Sequence, residues 1–358
     1  MAKRSFYIKD SELDDYQVKV INKKSDNSYI VKGCAGSGKS ILALWKAKQI
    51  QEQNKGSYLY IVYTKALRQY MDDGIKQIGL KENNVANFDA CFSWEKDGNG
   101  KPSRGVWKKG TYDYIIVDEA QDFSKEDIEL LKSKVNKALL VYGDTAQQLY
   151  KFLEQKKEPK KTVSMEEIQY FTKFPVEQLV FNHRLPKKIA RVAEYLNSEK
   201  DELEERCIEE GTDKPKILKY NSKQEQFQAI ATLIKNKGME DVGILFRTNK
   251  EVDEAYDFFR SLGLNVEAKS YSENNLDFTS DNPKLMTYHS SKGLQFENVF
   301  IPECTVEGSD NKNPLYVAVT RTYKSLYIMH SGNLSSYFDD VPDNLYDKSL
   351  STGPTLKL

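Results

Sequence analysis

The sequence is poor in several features that mark particular classes of protein. Only four cysteines occur in its 358 residues, at positions 34, 91, 207 and 304, and no two of them form a CxxC pair. This spacing argues against a disulfide framework or a zinc site, so we expect a protein of the reducing cytoplasm. No run approaches the about 18 apolar residues of a membrane-spanning helix, and the first residues contain no apolar signal-peptide core. We therefore expect no membrane partner.

Net charge is also absent. The chain has 53 basic and 53 acidic side chains, which excludes a generally basic coat for nucleic acid. A local groove lined by a few cations remains open, because the first 178 residues contain 30 basic and 25 acidic side chains. Hydrophobic residues make up 39% of the chain, enough for a folded core. The length favours two domains.

Short apolar strands alternate with amphipathic helices along the chain. This alternation predicts an α/β fold with parallel sheets, and runs such as YIIV and ALLVY are typical of strands that are covered on both faces. A charged stretch that opens with KKEPKK and ends in KFP predicts the boundary between two halves. We therefore predict an N-terminal domain at 1–175 and a C-terminal domain at 176–358.

The most specific motif is a glycine-rich loop between a predicted strand and a predicted helix. Residues 33–40, GCAGSGKS, match the phosphate-loop pattern GxxxxGK[ST], whose backbone N–H groups surround phosphates. The candidate nucleotide-binding residues are Gly33, Cys34, Ala35, Gly36, Ser37, Gly38, Lys39 and Ser40. We expect Lys39 to reach the β- and γ-phosphates and the Ser40 hydroxyl to bind the metal ion, so ATP and Mg²⁺ are the predicted cofactors.

A second apolar strand ends in two adjacent carboxylates, in the segment IIVDEAQD. This is the Walker-B arrangement, in which Asp118 is expected to hold Mg²⁺ and Glu119 to orient and polarise the attacking water. Attack by water needs a positioned acceptor and in-line geometry. The pair therefore predicts a hydrolase rather than a kinase.

Together with these two motifs, an ordered series of others resembles superfamily 1 helicases of the UvrD/Rep-like group. In the first half, the family elements LNxxQ, motif Ia, DExQD and GDxxQxIYxW correspond to LDDYQ (13–17), IVYTKAL (61–67), DEAQD (118–122) and GDTAQQLYKF (143–152). In the second half, xNYR, TxHxxKGLEF and YVAxTRA correspond to FNHR (181–184), TYHSSKGLQF (287–296) and YVAVTRT (316–322). The resemblance implies two tandem RecA-like P-loop NTPase domains with an ATP cleft between them. It also implies a DNA helicase or translocase of 3′→5′ polarity.

The same resemblance implies roles for individual residues. Gln17 is expected to read the adenine edge, Gln147 to sense the γ-phosphate and Gln295 to bind the ribose. Arg184 and Arg321 are expected to stabilise transition-state charge from the other side of the cleft. The implied nucleic-acid contacts are Thr64, Tyr150, Phe152, Thr287 and His289. For His289 an interdomain hydrogen bond is nearly as good an interpretation.

Three departures from the family pattern bear on these expectations. Gln295 stands where the family has Glu and carries no charge, which loosens the expected ribose selectivity. Phe152 replaces a Trp and offers a smaller ring for base stacking. The short spans from 71 to 115 and from 184 to 287 leave no room for large accessory insertions. Motor chemistry is therefore better supported than strand separation.

Other functions remain open on the sequence. The chain fits a nucleic-acid-gated ATPase switch that unwinds nothing, as one subunit of a larger complex with a partner such as a nuclease. A small-molecule phosphotransferase would use the same phosphate loop, although the second, arginine-bearing half argues against it. A purely structural module fits least, because the lysine and both acids are present. The expected nucleic acid is single-stranded or partly duplex DNA, with RNA not excluded.

Overall fold

A computed structural model describes residues 12–96, 98, 100, 102–147, 162–197, 202–305 and 312–350. The chain divides into two units, Met1–Phe181 and Asn182–Leu358. Each unit has a parallel sheet and a hydrophobic core of its own. The predicted α/β class with two RecA-like domains is confirmed.

The first unit is built on a six-stranded sheet. Its helices are α1 (Asp15–Asn22), α2 (Lys39–Glu52), α3 (Lys65–Ile78), α4 (Lys125–Ser133) and α5 (Met165–Thr172). Its strands are β1 (Tyr29–Gly33), β2 (Tyr58–Val62), β3 (Val85–Asn87), β4 (Phe92–Lys96), β5 (Pro102–Trp107), β6 (Tyr112–Val117), β7 (Val135–Gly143) and β8 (Val176–Leu179). The sheet order is β3-β2-β6-β7-β1-β8, and β4 and β5 form a separate antiparallel hairpin.

All neighbouring strands of this sheet are parallel, so their carboxyl ends lie along one edge. β2 is buried along its whole length, as expected for a strand covered on both faces. Phe88 and Phe123 extend the core beyond the carboxyl edge, with ring centroids 4.8 Å apart. Ligands bind at this edge in open parallel sheets, and Gly33, Thr64 and Asp118 lie at or just after the ends of β1, β2 and β6.

The division between the units differs from the boundary predicted at 175/176. β8 pairs in parallel with β1, with Val176 opposite Ile30 and Leu179 opposite Gly33. Strand β8 therefore belongs to the first sheet, and the division falls after Phe181. The charged stretch before β8 indicated an earlier boundary. The sequence of a four-residue strand does not reveal which sheet the strand joins, so β8 could not be assigned to the first unit in advance.

The second unit is built on a seven-stranded sheet. Its helices are α6 (Lys187–Leu196), α7 (Leu203–Arg206), α8 (Lys223–Lys237), α9 (Asn249–Ser261) and α10 (Asn313–Val319). Its strands are β9 (Lys216–Lys219), β10 (Val242–Phe246), β11 (Glu267–Lys269), β12 (Lys284–Thr287), β13 (Phe296–Ile301), β14 (Thr322–His330) and β15 (Asp347–Leu350). The order is β11-β12-β10-β13-β14-β9-β15, with parallel neighbours throughout.

The core of the second unit lies between this sheet and two helices. Phe227 of α8 contacts Phe246 at the end of β10 and Phe259 of α9, with ring centroids 6.0 and 5.2 Å away. This packing fixes the sheet end from which Thr287 emerges, because β10 pairs directly with β12. Across the described ranges of both units, no helix combines the length and apolarity needed to cross a lipid bilayer.

Candidate nucleotide and nucleic-acid site

The glycine-rich loop joins β1 to α2 through two left-handed residues. Gly36 and Gly38 have φ of 78° and 85°, which residues with a side chain rarely adopt. A Cβ on Gly33 would lie 2.8 Å from the Leu179 Cβ, so β8 leaves no space for a side chain at the start of the loop. The tight turn aims the amino end of α2 at the carboxyl edge, where unpaired backbone N–H groups favour an anion.

Lys39 and Ser37 supply the polar groups of this loop. The Lys39 ammonium donates hydrogen bonds to the Gly33 and Cys34 carbonyls at 2.7 and 2.8 Å and lies 4.0 Å from an Asp144 carboxylate oxygen. Among the described residues, the buried Ser37 hydroxyl has no hydrogen-bond partner. A buried hydroxyl left unpaired is costly, so the loop suits a ligand with hydrogen-bonding oxygens, such as a phosphate.

Gln17 lies against the same loop. Its backbone N–H donates to the Asp14 carboxylate at 2.9 Å, and its side-chain oxygen accepts from the Asp14 N–H, which forms a capping box at the start of α1. Its side-chain nitrogen donates to the Ser37 carbonyl at 3.1 Å. The structure therefore brings Gln17 to the phosphate loop.

Helix α1 is attached to the unit by polar contacts of two residues, Glu177 and Lys46, that sequence reasoning missed. Glu177 of β8 pairs with Lys19 and Lys23 at 2.7 and 2.8 Å. Lys46 of α2 donates to the Ile21 and Lys23 carbonyls at the end of α1, and burial lowers the pKa of this lysine to about 8. Both contacts join segments far apart in sequence, so no local pattern announces them.

Asp118 and Ser40, the two predicted metal ligands, lie together. Asp118 is fully buried at the end of β6 and accepts a hydrogen bond from the Tyr60 hydroxyl at 3.1 Å. Burial and then the neighbouring Glu119 charge raise the pKa of Asp118 to about 6, and hydrogen bonding to Ser40 and the charge of Lys39 oppose the rise. Mg²⁺ is usually bound by oxygen atoms from one or two protein side chains together with phosphates, and a carboxylate and a hydroxyl beside a phosphate loop provide such ligands. These residues fit the ion.

Glu119 is held in an unusual backbone conformation. Its φ of 56° lies in the left-handed region, where a non-glycine residue is uncommon. Its carboxylate accepts a hydrogen bond from the Gln121 side chain at 2.5 Å, and the other end of that amide accepts from the Asp144 N–H at 3.0 Å. Gln121 therefore bridges the end of β6 to the end of β7, which sequence analysis did not predict.

Asp144 connects the remaining polar groups of this edge. Its carboxylate accepts from the Gln147 side chain at 2.7 Å and from the Ala146 N–H at 3.1 Å, besides lying near Lys39. Gln147 is thus joined through Asp144 to both Lys39 and Gln121. Asp144 is a further site residue that the sequence analysis did not name, although its position within the motif GDTAQ could have indicated it. Tyr150 and Phe152 lie outside the described residues.

Thr64 starts helix α3 beside this site. Its hydroxyl accepts a hydrogen bond from the Leu67 N–H at 3.1 Å, which caps the helix. The preceding Tyr63 packs its ring edge-on against Phe123, with centroids 5.2 Å apart. Thr64 therefore occupies a fixed position at the end of β2, next to the strand that ends at Asp118.

In the second unit the structure brings Arg184 and Arg321 together. One Arg184 guanidinium nitrogen donates to the Thr320 carbonyl at 3.0 Å, and one Arg321 nitrogen donates to the Thr320 hydroxyl at 3.2 Å. Arg321 also donates to the Val317 and Leu294 carbonyls. Thr320, which sequence reasoning left without a role, therefore holds both predicted arginines.

The other predicted residues of this unit lie at or after the end of β12. The Thr287 hydroxyl accepts from the Ser290 N–H at 3.1 Å and closes the turn that contains His289. Burial, and then the charge of Lys292, lower the pKa of His289 and favour its neutral form. Gln295 directly precedes β13 and is partly exposed.

Two family models match the chain. An AAA domain matches residues 17–153, which hold Gln17, the phosphate loop, Asp118 and Glu119. A UvrD-like helicase C-terminal domain matches residues 284–329, which hold Thr287 and Arg321. The resemblance to UvrD-like superfamily 1 helicases is confirmed. The two models fall in different units, in the order expected of that UvrD-like group.

Solved structures similar to the chain include three helicases, all at low identity. One is the C-terminal domain of a "possible DNA helicase" from Lactobacillus plantarum WCFS1, at 16% identity and a TM-score of 0.38, over 46% of this chain and 98% of that one. Another is the helicase nonstructural protein 10 of an Arterivirus, at 17% identity and a TM-score of 0.45, over 90% of this chain and 63% of that one. The third is the PRRSV helicase, at 15% identity and a TM-score of 0.43, over 88% of this chain and 54% of that one. This chain thus spans less than two thirds of either viral protein. No curated protein matches it.

Proposed function

We propose that the chain is an ATP-hydrolysing nucleic-acid motor of the UvrD-like type. The observation that carries the proposal is the buried polar network at one sheet edge. Lys39 and Gln147 meet at Asp144, and Gln121 links Asp144 to Glu119. The Glu119 N–H then donates to the Asp118 carboxylate. A phosphate loop, a metal-binding carboxylate and a water-orienting carboxylate are the parts that ATP hydrolysis needs. The two family models support the same class.

The first unit is the proposed ATP-binding domain. Residues 33–40 hold the triphosphate, with Lys39 exchanging its loop carbonyls for phosphate oxygens, and Gln17 receives the adenine. Ser40 and Asp118 would hold Mg²⁺, which neutralises phosphate charge when it is bound. Glu119 orients the attacking water and accepts its proton, while Gln121 fixes that carboxylate in place.

The second unit is the proposed helicase domain, whose arginines complete the site. Arg184 and Arg321 stabilise the charge that develops on the transferred phosphoryl group, and Thr320 positions both guanidinium groups. Gln295 contacts the ribose. Because the triphosphate then contacts both units, its hydrolysis changes how they hold a second ligand.

That second ligand is proposed to be a single strand of nucleic acid. Thr64 and Thr287 each lie in a capped turn at the carboxyl end of a strand, where they can contact the backbone of the nucleic acid, and burial favours the neutral form of His289 beside them. Tyr150 and Phe152 are the proposed stacking residues. DNA moved with 3′→5′ polarity is the form that the resemblance implies, and RNA is an alternative substrate.

A nucleic-acid-gated ATPase switch is the second candidate. Between β3 and β6 the chain makes one short turn and the β4–β5 hairpin, in place of an accessory domain. A chain so reduced can hydrolyse ATP in response to nucleic acid without separating a duplex, within a complex that supplies the missing part, such as a nuclease. ATPase activity without strand displacement by the purified chain would favour this candidate over a helicase.

The proposal is tested most simply at Lys39. Lys39→Ala removes the cation that neutralises the β- and γ-phosphates, and we expect steady-state ATP turnover to fall at least about 100-fold. Lys48→Ala is the matched control, since Lys48 lies in the same helix and forms an ion pair with the surface Glu52. Retained turnover in Lys39→Ala, with the control unchanged, would remove the basis of the proposal.

A further inference from the structure

Trp94 is a large aromatic side chain that the first unit leaves half exposed but holds in place. Its exposed fraction is 52%. Its indole N–H donates a hydrogen bond to the Asp89 carbonyl at 3.2 Å, which fixes one edge of the ring. Indole rings with one anchored polar edge and an exposed apolar face are typical of binding surfaces, since they offer area with little loss of entropy.

The sheet register places this anchor next to Thr64. Val62 of β2 pairs with Asn87 of β3. Thr64 and Asp89 each follow their paired residue by two positions, just beyond the carboxyl ends of these neighbouring strands. The Asp89 carbonyl that holds the Trp94 indole therefore lies at the same carboxyl edge as Thr64, the proposed nucleic-acid contact, but beside the next strand, β3.

The hairpin that carries Trp94 is firmly attached. Arg104 of β5 lies opposite Trp94 and pairs with Asp89 and Asp127 at 2.7 and 2.9 Å. Its guanidinium also lies 4.8 and 4.7 Å from the ring centroids of Phe88 and Phe92. This support joins the hairpin to the start of α4, so the indole is preorganised rather than loosely attached.

We propose that Trp94 stacks on a base of the single strand that Thr64 contacts. This inference rests on the proposed function and adds a residue to it. An indole face accepts any base, because every base has a π-face, and exposed lysines of the hairpin and of the residues just after it, Lys96 and Lys108, suit the phosphate backbone. Trp94 thus extends the strand-binding surface outward along the sheet edge.

Affinity for a labelled single-stranded oligonucleotide tests this contact. Trp94→Ala should weaken binding roughly 5- to 150-fold, the loss expected for one stacked base, and Trp94→Phe should restore most of it. The control is Tyr170→Ala. Tyr170 is 76% exposed near the end of α5, which leads into the amino end of β8 and so lies toward the opposite sheet edge. Its replacement should leave affinity unchanged.

Fluorescence gives a readout that a purely structural role would not affect. The chain has three tryptophans, so replacing Trp45 and Trp107 with Phe leaves Trp94 as the sole indole emitter. The oligonucleotide should quench its emission in proportion to binding. If the unaltered protein binds no oligonucleotide, the proposed function itself fails. If it binds but Trp94→Ala binds equally well, or if Trp94 emission does not change, only the stacking inference is overturned.

Discussion

At the scale of single residues, the candidate site depends on amides and hydroxyls that hold the charged groups. Gln121 joins Glu119 to the end of β7, and Thr320 holds Arg184 and Arg321. These neutral residues are buried, and each of their hydrogen bonds satisfies a group that would otherwise be costly to bury. We therefore expect loss of these neutral residues to reduce turnover, although by less than loss of the charged groups they hold.

Gln121→Ala tests this expectation in the first unit. Without the amide, Glu119 loses the contact that orients its carboxylate, and small misplacements of catalytic groups are costly. We expect kcat for ATP to fall roughly 10- to 100-fold while KM changes little, because the side chain of Gln121 hydrogen-bonds to Glu119 and Asp144 rather than to the phosphate loop in the described part of the chain. Gln178→Ala, an exposed position on β8, serves as control. An unchanged kcat would show that Glu119 needs no such support.

The sequence identified the charged residues and missed their supports for a physical reason. Lys39 and Asp118 belong to short motifs whose local spacing carries their chemistry. Asp144 and Thr320 lay inside quoted motifs, but their roles arise from contacts between residues far apart in sequence that only the folded units bring together. Whether Tyr150 and Phe152 stack on bases stays a prediction.

At the scale of elements, the attachment of α1 to β8 determines where Gln17 lies. Burial of the Glu177 carboxyl acts to raise its pKa, but the ion pairs with Lys19 and Lys23 outweigh it and hold the pKa below its ordinary value. A carboxyl with a lowered pKa stabilises the folded state above its unfolded pKa of about 4.3, and this contribution is lost as the pH falls through the folded value.

Glu177→Gln should therefore destabilise the protein in a pH-dependent way. At pH 7 we expect a loss of about 1 kcal/mol in the free energy of unfolding, a modest value because Lys19 is largely exposed. Below the folded pKa of Glu177 the difference between variant and parent should vanish, since the parent carboxyl is then neutral too. Denaturant titrations at neutral and acidic pH measure both values. A difference that persists unchanged in acid would contradict the ion-pair account.

The elements that the sequence predicted are those with long apolar runs. Strands β6 and β7 contain the runs YIIV and ALLVY, and β1 lies where a strand was predicted before the glycine-rich loop, because each carries a buried apolar stretch. The short strands β3, β11 and β15 and the β4–β5 hairpin were not predicted. Each is brief or partly polar, and its pairing with a neighbouring strand, rather than its composition, defines it.

At the scale of the whole molecule, the two units follow one plan. Each sheet is parallel, and Asp118 in the first unit and Thr287 in the second lie at or directly after the end of a strand. The sequence predicted this tandem arrangement from the order of its motifs. It placed the boundary six residues too early relative to the division after Phe181, because the pairing of β8 with β1 is a long-range contact.

A pair of truncations tests the observed division. A fragment of residues 1–181 retains β8, whose Leu179 is buried against the phosphate loop, and should unfold cooperatively. A fragment of residues 1–175 lacks that strand, and we expect its melting temperature to be about 5–10 °C lower, since each kcal/mol is worth about 2–4 °C in a domain of this size. Equal melting temperatures by circular dichroism would mean that β8 contributes nothing to the first unit.

The central claim is that ATP held by the first unit is hydrolysed with the help of the second and in response to nucleic acid. The most direct measurement is the steady-state ATPase rate of the full chain and of Arg184→Ala, each with and without single-stranded DNA. We predict that DNA stimulates the unaltered protein and that Arg184→Ala, correctly folded, loses at least about 1,000-fold in kcat under the same conditions. Equal rates for the two proteins, with no response to DNA, would contradict the account.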